Sequence, residues 1–268
     1  MPTFFGKYRG KVAANRDPLN LGRIQVAVPA VYGDEQLAWA MPCTPYAGTD
    51  IGFFAIPPVN SNIWVEFEQG DPDYPIWSGC FWGENELPQA AIVPNPQEVQ
   101  VFRVNGITLT WSNFGTTKGV TLEVDSPVVT RKLKLVCNSQ GIEINNNEET
   151  ITKLTATAIE IKNKTNASIT VNADNIEVKQ GSVTTKWTAS AIELTCSPAA
   201  LKLTSASGIE LTNTPATAKL SSSGIELGST PAVVKIAPSG VELNGGAAAS
   251  IKISPVSVNV NNGALEVI

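Results

Sequence analysis

A four-residue motif recurs through the second half of the chain: a small residue, Ile or Val, Glu and an aliphatic residue. Its copies lie 16 or 17 residues apart, and their second positions are Ile142, Ile159, Ile176, Ile192, Ile209, Ile225, Val241 and a degenerate Val258. A second motif, a lysine between two apolar residues, lies midway between copies, at Lys202, Lys219, Lys235 and Lys252. The chain therefore repeats one short apolar, charged, apolar segment about every eight residues.

This alternation has the period of a β-strand with one buried face, and the intervening Gly, Ser, Asn and Pro are turn residues. A helix is excluded because no apolar residues recur at 3.6-residue spacing. A strand with two inward aliphatic side chains cannot form a core alone, so strands must stack. The repeat is short for a single-chain β-solenoid, whose coil takes about 18 to 25 residues. It favours a β-helix built from several chains and leaves the solenoid as the alternative.

Aromatic residues divide the chain into two unlike parts. Residues 1–114 hold all of them except Trp187. A core of ordinary thickness needs large side chains, so the second part is expected to be thin. We predict a head at 1–95, a connector at 96–118 and a repetitive needle at 119–268.

Charge and composition argue against several classes of function. Residues 1–114 carry six basic and eleven acidic residues, and the rest of the chain carries thirteen of each. Nucleic-acid affinity depends on clustered Lys and Arg, so no nucleic-acid partner is expected. The chain has no histidine, and its cysteines are scattered at Cys43, Cys80, Cys137 and Cys196. We therefore predict no catalytic, cofactor-binding or metal-binding residues. With no apolar run typical of a signal or membrane span, synthesis in the bacterial cytoplasm is expected.

The head reads as short strands separated by Gly and Pro, at 5–12, 22–28, 38–41, 52–56, 63–67 and 76–82. Five or six short strands in so few residues suit a small closed barrel of the OB type. A Gly-Asp-Pro-x-x-Pro element joins the last two strands, at Gly70, Asp71, Pro72 and Pro75. There Gly70 permits a tight turn and the Asp71 side chain can cap the turn backbone.

Together with the segments 22–26, 52–54 and 57–65, this element resembles the OB-fold domain of phage baseplate assembly protein V and of the type VI secretion spike VgrG. The resemblance implies an all-β fold, an OB-fold barrel head followed by an intertwined trimeric triple-stranded β-helix, or β-prism. It implies a structural central spike that pierces the target envelope as part of a contractile injection machine. That machine is a phage tail baseplate or a phage-tail-like or type VI-like particle.

The resemblance also implies partners. We expect a homotrimer, a separate hub protein and tail tube at the head, and a PAAR-type tip protein at the C-terminal end near Val267 and Ile268. Contact with the target membrane would be transient. No lysozyme-like insert follows the head, so enzymatic activity is not expected.

Two other functions are weighed. An OB-fold head can bind ligands, but binders of single strands combine a basic groove with exposed aromatic side chains, and this head is acidic. A tailspike depolymerase on a single-chain β-solenoid would need one special pair of carboxylates, whereas the glutamates of the repeat form a uniform series. We interpret that series as solvated residues on the outward face.

Overall fold

The structure is a computed structural model that describes residues 2–34, 36–115, 118–147, 149–246 and 249–267, with side chains to residue 265. The chain divides into two compact units, Met1–Ile92 and Val93–Ile268. The first is the head and the second is the needle.

The head is a closed β-barrel with a short additional hairpin. Its neighbouring strands pair antiparallel, except for one parallel pair. Its strands are β1 (Tyr8–Ala14), β2 (Ile24–Ala27), β3 (Leu37–Pro42), β4 (Ala47–Gly48), β5 (Ile51–Gly52), β6 (Asn62–Phe67) and β7 (Pro75–Cys80). Strands pair in the order β1-β2-β3-β7-β6, β4 pairs with β5, and a one-turn helix α1 (Pro29–Tyr32) follows β2. The closed five-stranded barrel confirms the predicted class of the head.

The barrel core is small and mostly aliphatic, and Phe67 and Trp77 are its aromatic members. Along β6 the side chains of Ile63, Val65 and Phe67 are buried, while those between them are half-buried, as expected for a strand with one inward face. The other fully buried side chains of appreciable size belong to neighbouring strands or lie just after them, and are Val12, Ile24, Val26 and Val28.

The turn between β6 and β7 is built as the sequence suggests. Gly70 has a φ of +79°, and the side chain of Asp71 accepts a 3.0 Å hydrogen bond from the backbone N–H of Asp73. The amide of Phe4 donates to the carbonyl of Gly70 at 2.8 Å, so the N-terminal segment is tied to this turn. The turn is thereby held at both of its ends.

The strand predicted at 52–56 is largely absent. Only Ile51–Gly52 is extended and paired, in the β4–β5 hairpin. The amide of Phe53 donates back to the carbonyl of Tyr46 at 2.8 Å, and the chain then leaves the hairpin. Pro57 and Pro58 follow and lack the N–H groups that a ladder needs.

The needle is a long succession of short strands. They are β8 (Val99–Val104), β9 (Ile107–Ser112), β10 (Gly119–Val124), β11 (Leu133–Asn138), β12 (Gly141–Asn146), β13 (Thr150–Leu154), β14 (Ala158–Asn163), β15 (Ala167–Asn172), β16 (Asn175–Gln180), β17 (Val183–Thr188), β18 (Ala191–Cys196), β19 (Ala199–Thr204), β20 (Gly208–Asn213), β21 (Ala216–Ser221), β22 (Gly224–Ser229), β23 (Ala232–Ala237), β24 (Gly240–Asn244), β25 (Ser250–Ile253), β26 (Val258–Val260) and β27 (Leu265–Val267).

Each needle strand pairs antiparallel with the strands that precede and follow it in the chain. Strands β8 and β9, within the segment predicted as a connector, pair with each other, and β9 pairs with β10, so they belong to the same ladder. The hydrogen bonds of this ladder lie within one chain. The predicted intertwining of three chains stays a prediction, because the structure describes one chain.

Close packing between the paired strands β22 and β23 explains why a glycine stands at the start of β22. Gly224 has a φ of +133°, and a Cβ there would lie 2.0 Å from the carbonyl oxygen of Ile236 on β23. Gly228, on the same strand, has no such constraint, because its Cβ would lie 3.3 Å from the nearest atom, the Thr217 hydroxyl. The two glycines of β22 thus differ in what a methyl group would meet.

Replacing these two glycines by alanine tests the local geometry. We expect Gly224→Ala to destabilise the needle by about 1–3 kcal/mol, because the backbone must move to relieve both the clash and the strained φ. We expect Gly228→Ala to change stability by less than about 1 kcal/mol. Thermal unfolding followed by circular dichroism measures both, and equal melting temperatures for the two variants would contradict the register described here.

Candidate assembly interface

Two parallel rows of apolar side chains run along one face of the needle ladder, and together they are called the apolar face. The register places paired residues in the first row, which is Ile142, Leu154, Ile159, Val171, Ile176, Trp187, Ile192, Leu203, Ile209, Leu220, Ile225, Ile236, Val241, Ile253 and Val258. The second row is Ile144, Thr152, Ile161, Ile169, Val178, Thr185, Leu194, Leu201, Leu211, Ala218, Leu227, Val234, Leu243, Ile251, Val260 and Leu265.

A single chain leaves much of the apolar face open to solvent. Ile209 is 37% exposed and Leu211 is 50% exposed, and similar values recur along both rows. A contiguous apolar surface of this length marks an interaction site, because soluble monomers rarely expose one. The face needs apolar partners to cover it.

The opposite face carries a row in which acidic and basic side chains alternate across paired strands. The row is Glu143, Lys153, Glu160, Thr170, Glu177, Lys186, Glu193, Lys202, Glu210, Lys219, Glu226, Lys235, Glu242, Lys252 and Asn259. The charged row and the apolar face thus lie on opposite sides of the ladder, as predicted from the sequence.

Ion pairs join neighbouring members of the charged row. The shortest carboxylate to ammonium distances are 2.6 Å for Glu193 and Lys202 and 2.8 Å for Glu143 and Lys153. Glu210 and Lys219 lie 3.0 Å apart. Their side chains are partly exposed, so each pair adds little to the stability of the fold. The row thus favours one strand register more than it adds stability.

The ion pairs shift the pKa values of their members. A hydrogen bond from Lys153, with another from the Asn145 side chain, lowers the pKa of Glu143. The hydrogen bond between Lys202 and Glu193 lowers the pKa of the Glu193 carboxyl and raises that of the Lys202 ammonium. The two carboxylates stabilise the fold at pH values above their pKa in the unfolded chain, which is about 4.3. This contribution is lost as the pH falls through their lower pKa in the folded protein. The Lys202 ammonium stabilises the fold at pH values below its pKa in the unfolded chain. The contributions of the carboxylates and of Lys202 are therefore both present at neutral pH.

The alternation is interrupted at Thr170. This residue pairs with both Glu160 and Glu177, so two acidic side chains flank a neutral one. Within β14, Lys162 lies 2.9 Å from the Glu160 carboxylate and supplies the missing positive charge from the same strand. The break in the repeat is therefore compensated locally.

The apolar face is not uniform in side-chain size. Trp187 lies in the first row between Ile176 and Ile192, and its neighbour on the same strand and face is the much smaller Thr185. Cys137 extends the first row toward the N-terminal end of the ladder, between Val120 and Ile142. Large and small side chains at adjacent positions keep the total volume of a layer nearly constant, as packed interfaces require.

The head carries an ion pair between Asp17 and Arg23 that was not predicted from the sequence. Asp17 accepts hydrogen bonds from the Arg23 guanidinium at 2.7 and 3.1 Å, and from the amides of Leu19, Leu21 and Arg23. Its side chain is nearly buried, and the Arg23 guanidinium holds the pKa of that carboxyl well below its usual range. The guanidinium also lies 5.3 Å from the centre of the Trp39 ring. The β1–β2 loop is therefore fixed in place.

Residues with possible catalytic or metal-binding chemistry lie apart. Among the described residues no three His, Cys, Asp or Glu side chains are grouped as a metal site. The four cysteines are free thiols, and Cys80 has its pKa raised by burial. At the predicted tip site, Val267 ends β27 but its side chain is not described, and Ile268 lies outside the described residues.

None of the helices in the described part of the chain is long and apolar enough to cross a lipid bilayer. The short helical turns all lie between strands or at strand ends.

Comparison with known proteins identifies both units. Residues 8–82 match the type VI secretion system and phage-baseplate injector OB domain. Residues 204–266 match the phage baseplate V C-terminal trimerisation domain, which supports a homotrimer. No relative was found among the curated proteins. Because the first match covers the barrel and the second covers the distal needle strands with their open apolar face, the chain belongs to the phage baseplate V and VgrG-type spike family.

Proposed function

We propose that the chain is the non-enzymatic central spike of a contractile injection machine, in a phage tail baseplate or a phage-tail-like particle, and that it pierces the target envelope. The observation that carries this proposal is an OB head and a trimerising needle joined in one chain. A piercing element must resist buckling. A hydrogen-bonded ladder from β8 to β27, stiffened by two further copies, supplies that resistance.

In the proposed trimer, three apolar faces meet around one axis and the charged rows face solvent. This arrangement buries the exposed side chains of both apolar rows, such as Ile209 and Leu211. At about 25 cal/mol for each Å² of apolar surface removed from water, a face of this length gives a large driving force for association. The isolated chain should accordingly not persist.

An enzymatic role has little support. Hydrolysis of a polysaccharide by paired acids needs one carboxyl with a raised pKa beside one that stays ionised. The needle glutamates with shifted pKa values, Glu143 and Glu193, are both shifted down by lysine partners. Such carboxylates suit a solvated structural surface.

We assign partners to the two ends of the spike. A separate hub protein and the tail tube would bind the head. A PAAR-type tip protein would bind the end of the needle near Val267 and Ile268, where the apolar rows run out at Leu265, itself largely exposed. Contact with the target membrane would be transient, and synthesis would take place in the bacterial cytoplasm.

The mass of the purified protein tests the trimer. Light scattering should give a species near three times 28.4 kDa, and this species should resist dissociation in detergent without boiling. A monomer of normal stability would contradict the proposal and return the single-chain solenoid to consideration.

Two neighbouring substitutions on β20 test which face is covered. Ile209→Asp should abolish the trimer, because three carboxylates would be buried around one dry axis at a cost of several kcal/mol each. Glu210→Gln should leave the trimer intact, because it removes only a half-exposed ion pair with Lys219. Light scattering on both variants gives the answer. A trimer that survives the first change, or one lost through the second, would show that the faces are assigned the wrong way round.

The number of copies in a particle tests the place of the protein in the machine. Quantitative mass spectrometry of purified particles should find one trimer per particle, and antibody labelling in electron micrographs should mark the centre of the baseplate. Several trimers per particle, arranged at the periphery, would instead indicate a tailspike.

A further inference from the structure

The first strand of the head carries a row of basic side chains on its outward face, here called the basic stripe. Its members are Lys7, directly before β1, and Arg9 and Lys11 within it, and all three are exposed while Gly10 is buried. Residues 1–92 contain ten acidic and five basic residues, so the stripe gathers three of the five on an otherwise acidic unit. Such a patch attracts a partner of the opposite charge.

The Arg9 guanidinium is held in position without an acceptor. Its central carbon lies 5.6 Å from the centre of the Trp64 ring and 5.3 Å from that of the Phe81 ring, and the two rings are 4.7 Å apart. In the part of the chain that the structure describes, no oxygen accepts a hydrogen bond from this guanidinium and no carboxylate forms an ion pair with it. Its N–H donors are therefore positioned for an acceptor from outside the chain.

The two lysines of the basic stripe differ in their partners. The Lys7 ammonium lies 2.6 Å from the Glu66 carboxylate and donates to the Ser78 hydroxyl at 3.0 Å. Lys11 pairs with none of the carboxylates in the described ranges. The uncompensated charge thus lies at Arg9 and Lys11, whose Cα atoms are about 7 Å apart as successive outward residues of a strand. An extended segment with acidic residues at alternate positions has the same spacing.

The chemistry of this surface suits protein carboxylates better than a nucleic-acid backbone. Trp64 and Phe81 are half-buried and pack on each other and on Arg9, so they are not open platforms for stacking bases. Two free cations neutralise few phosphates, and the other charges of the unit are mainly acidic. The planar fork of an arginine pairs with a carboxylate through two parallel hydrogen bonds.

We propose that Arg9 and Lys11 dock an acidic segment of the separate hub protein. The inference rests on the proposed function, which gives the head such a partner, and it adds where the partner binds and by which chemistry. Arginine beside aromatic side chains is typical of the residues that dominate binding energy at interfaces. Because Trp64 and Phe81 already hold the Arg9 guanidinium, little of its side-chain freedom is lost on binding.

Lysine acetylation tests this surface on the full-length trimer, both free and within purified particles. Lys11 should react several-fold more slowly in particles than in the free trimer, because the acidic segment covers it. Lys252, exposed on the needle, should react equally in both. Equal reactivity of Lys11 in the two samples would overturn the docking surface and leave the spike standing, whereas particles without the protein would overturn the spike itself.

The same measurement identifies other occupants of the surface. A Lys11 that reacts several-fold more slowly than Lys252 already in the free trimer would indicate a contact between copies of this chain. Protection that is lost when particles are treated with nuclease would indicate a nucleic acid. Either result would overturn the proposal, because the acidic segment is expected to come from another protein and to be present only in particles.

Reversal of single charges separates docking from folding. We expect Lys11→Glu and Arg9→Glu to lower the amount of this protein in particles several-fold and to keep the mass of the free trimer in light scattering. Lys11→Glu is the more decisive variant, because no ion pair within the described ranges is lost with it. The control, Arg16→Glu, makes the same change of charge at an exposed residue outside the stripe and should assemble normally. Equal assembly of Lys11→Glu and Arg16→Glu would overturn the proposal.

Discussion

The needle depends on one constraint, the register of its antiparallel ladder. Side chains alternate between the two faces of a strand, so a shift of one residue in any strand would exchange its apolar and charged sides. Across β19 and β20 the register pairs Leu203 with Ile209 and Lys202 with Glu210. The apolar rows and the charged row therefore exist only because every turn returns the chain in the same register, and a row of opposite charges penalises the alternative pairings.

The same register explains why the needle needs other copies. The hydrogen bonds between strands are satisfied within one chain, so they cannot by themselves hold three chains together. What remains unsatisfied is the apolar face, which a ladder of short strands cannot fold back to cover. Cohesion of the assembly therefore falls to side chains such as Leu211 and Leu227, and backbone hydrogen bonding supplies the stiffness of each chain.

The sequence predicts the parts of the molecule that follow from period and local turn chemistry. The repeat defined the two faces of the needle, and the Gly70–Asp71 turn has the conformation expected for those residues. An apolar groove of the head, lined by the loop at Leu21 and the hairpin at Tyr46, was not predicted, because these two segments are distant in the chain. The Asp17–Arg23 ion pair was also not predicted, because two residues six positions apart have no fixed geometry outside a helix. The strand at 52–56 was overestimated because the aromatic residues Phe53 and Phe54 favour strands, whereas here they lie in an exposed loop.

The needle and the head place different demands on the chain, and composition reflects this. Along the needle, each strand offers only two inward positions, so aliphatic residues of similar size recur and Trp187 is accommodated beside the small Thr185. The head is wide enough to hold its own core, to which Phe67 and Trp77 contribute, while other aromatic side chains such as Phe54 stay exposed. The contact between needles therefore draws on many small increments. Truncation of one side chain should accordingly weaken the needle contact less than a buried charge would, because the energy of that contact is spread over two long rows.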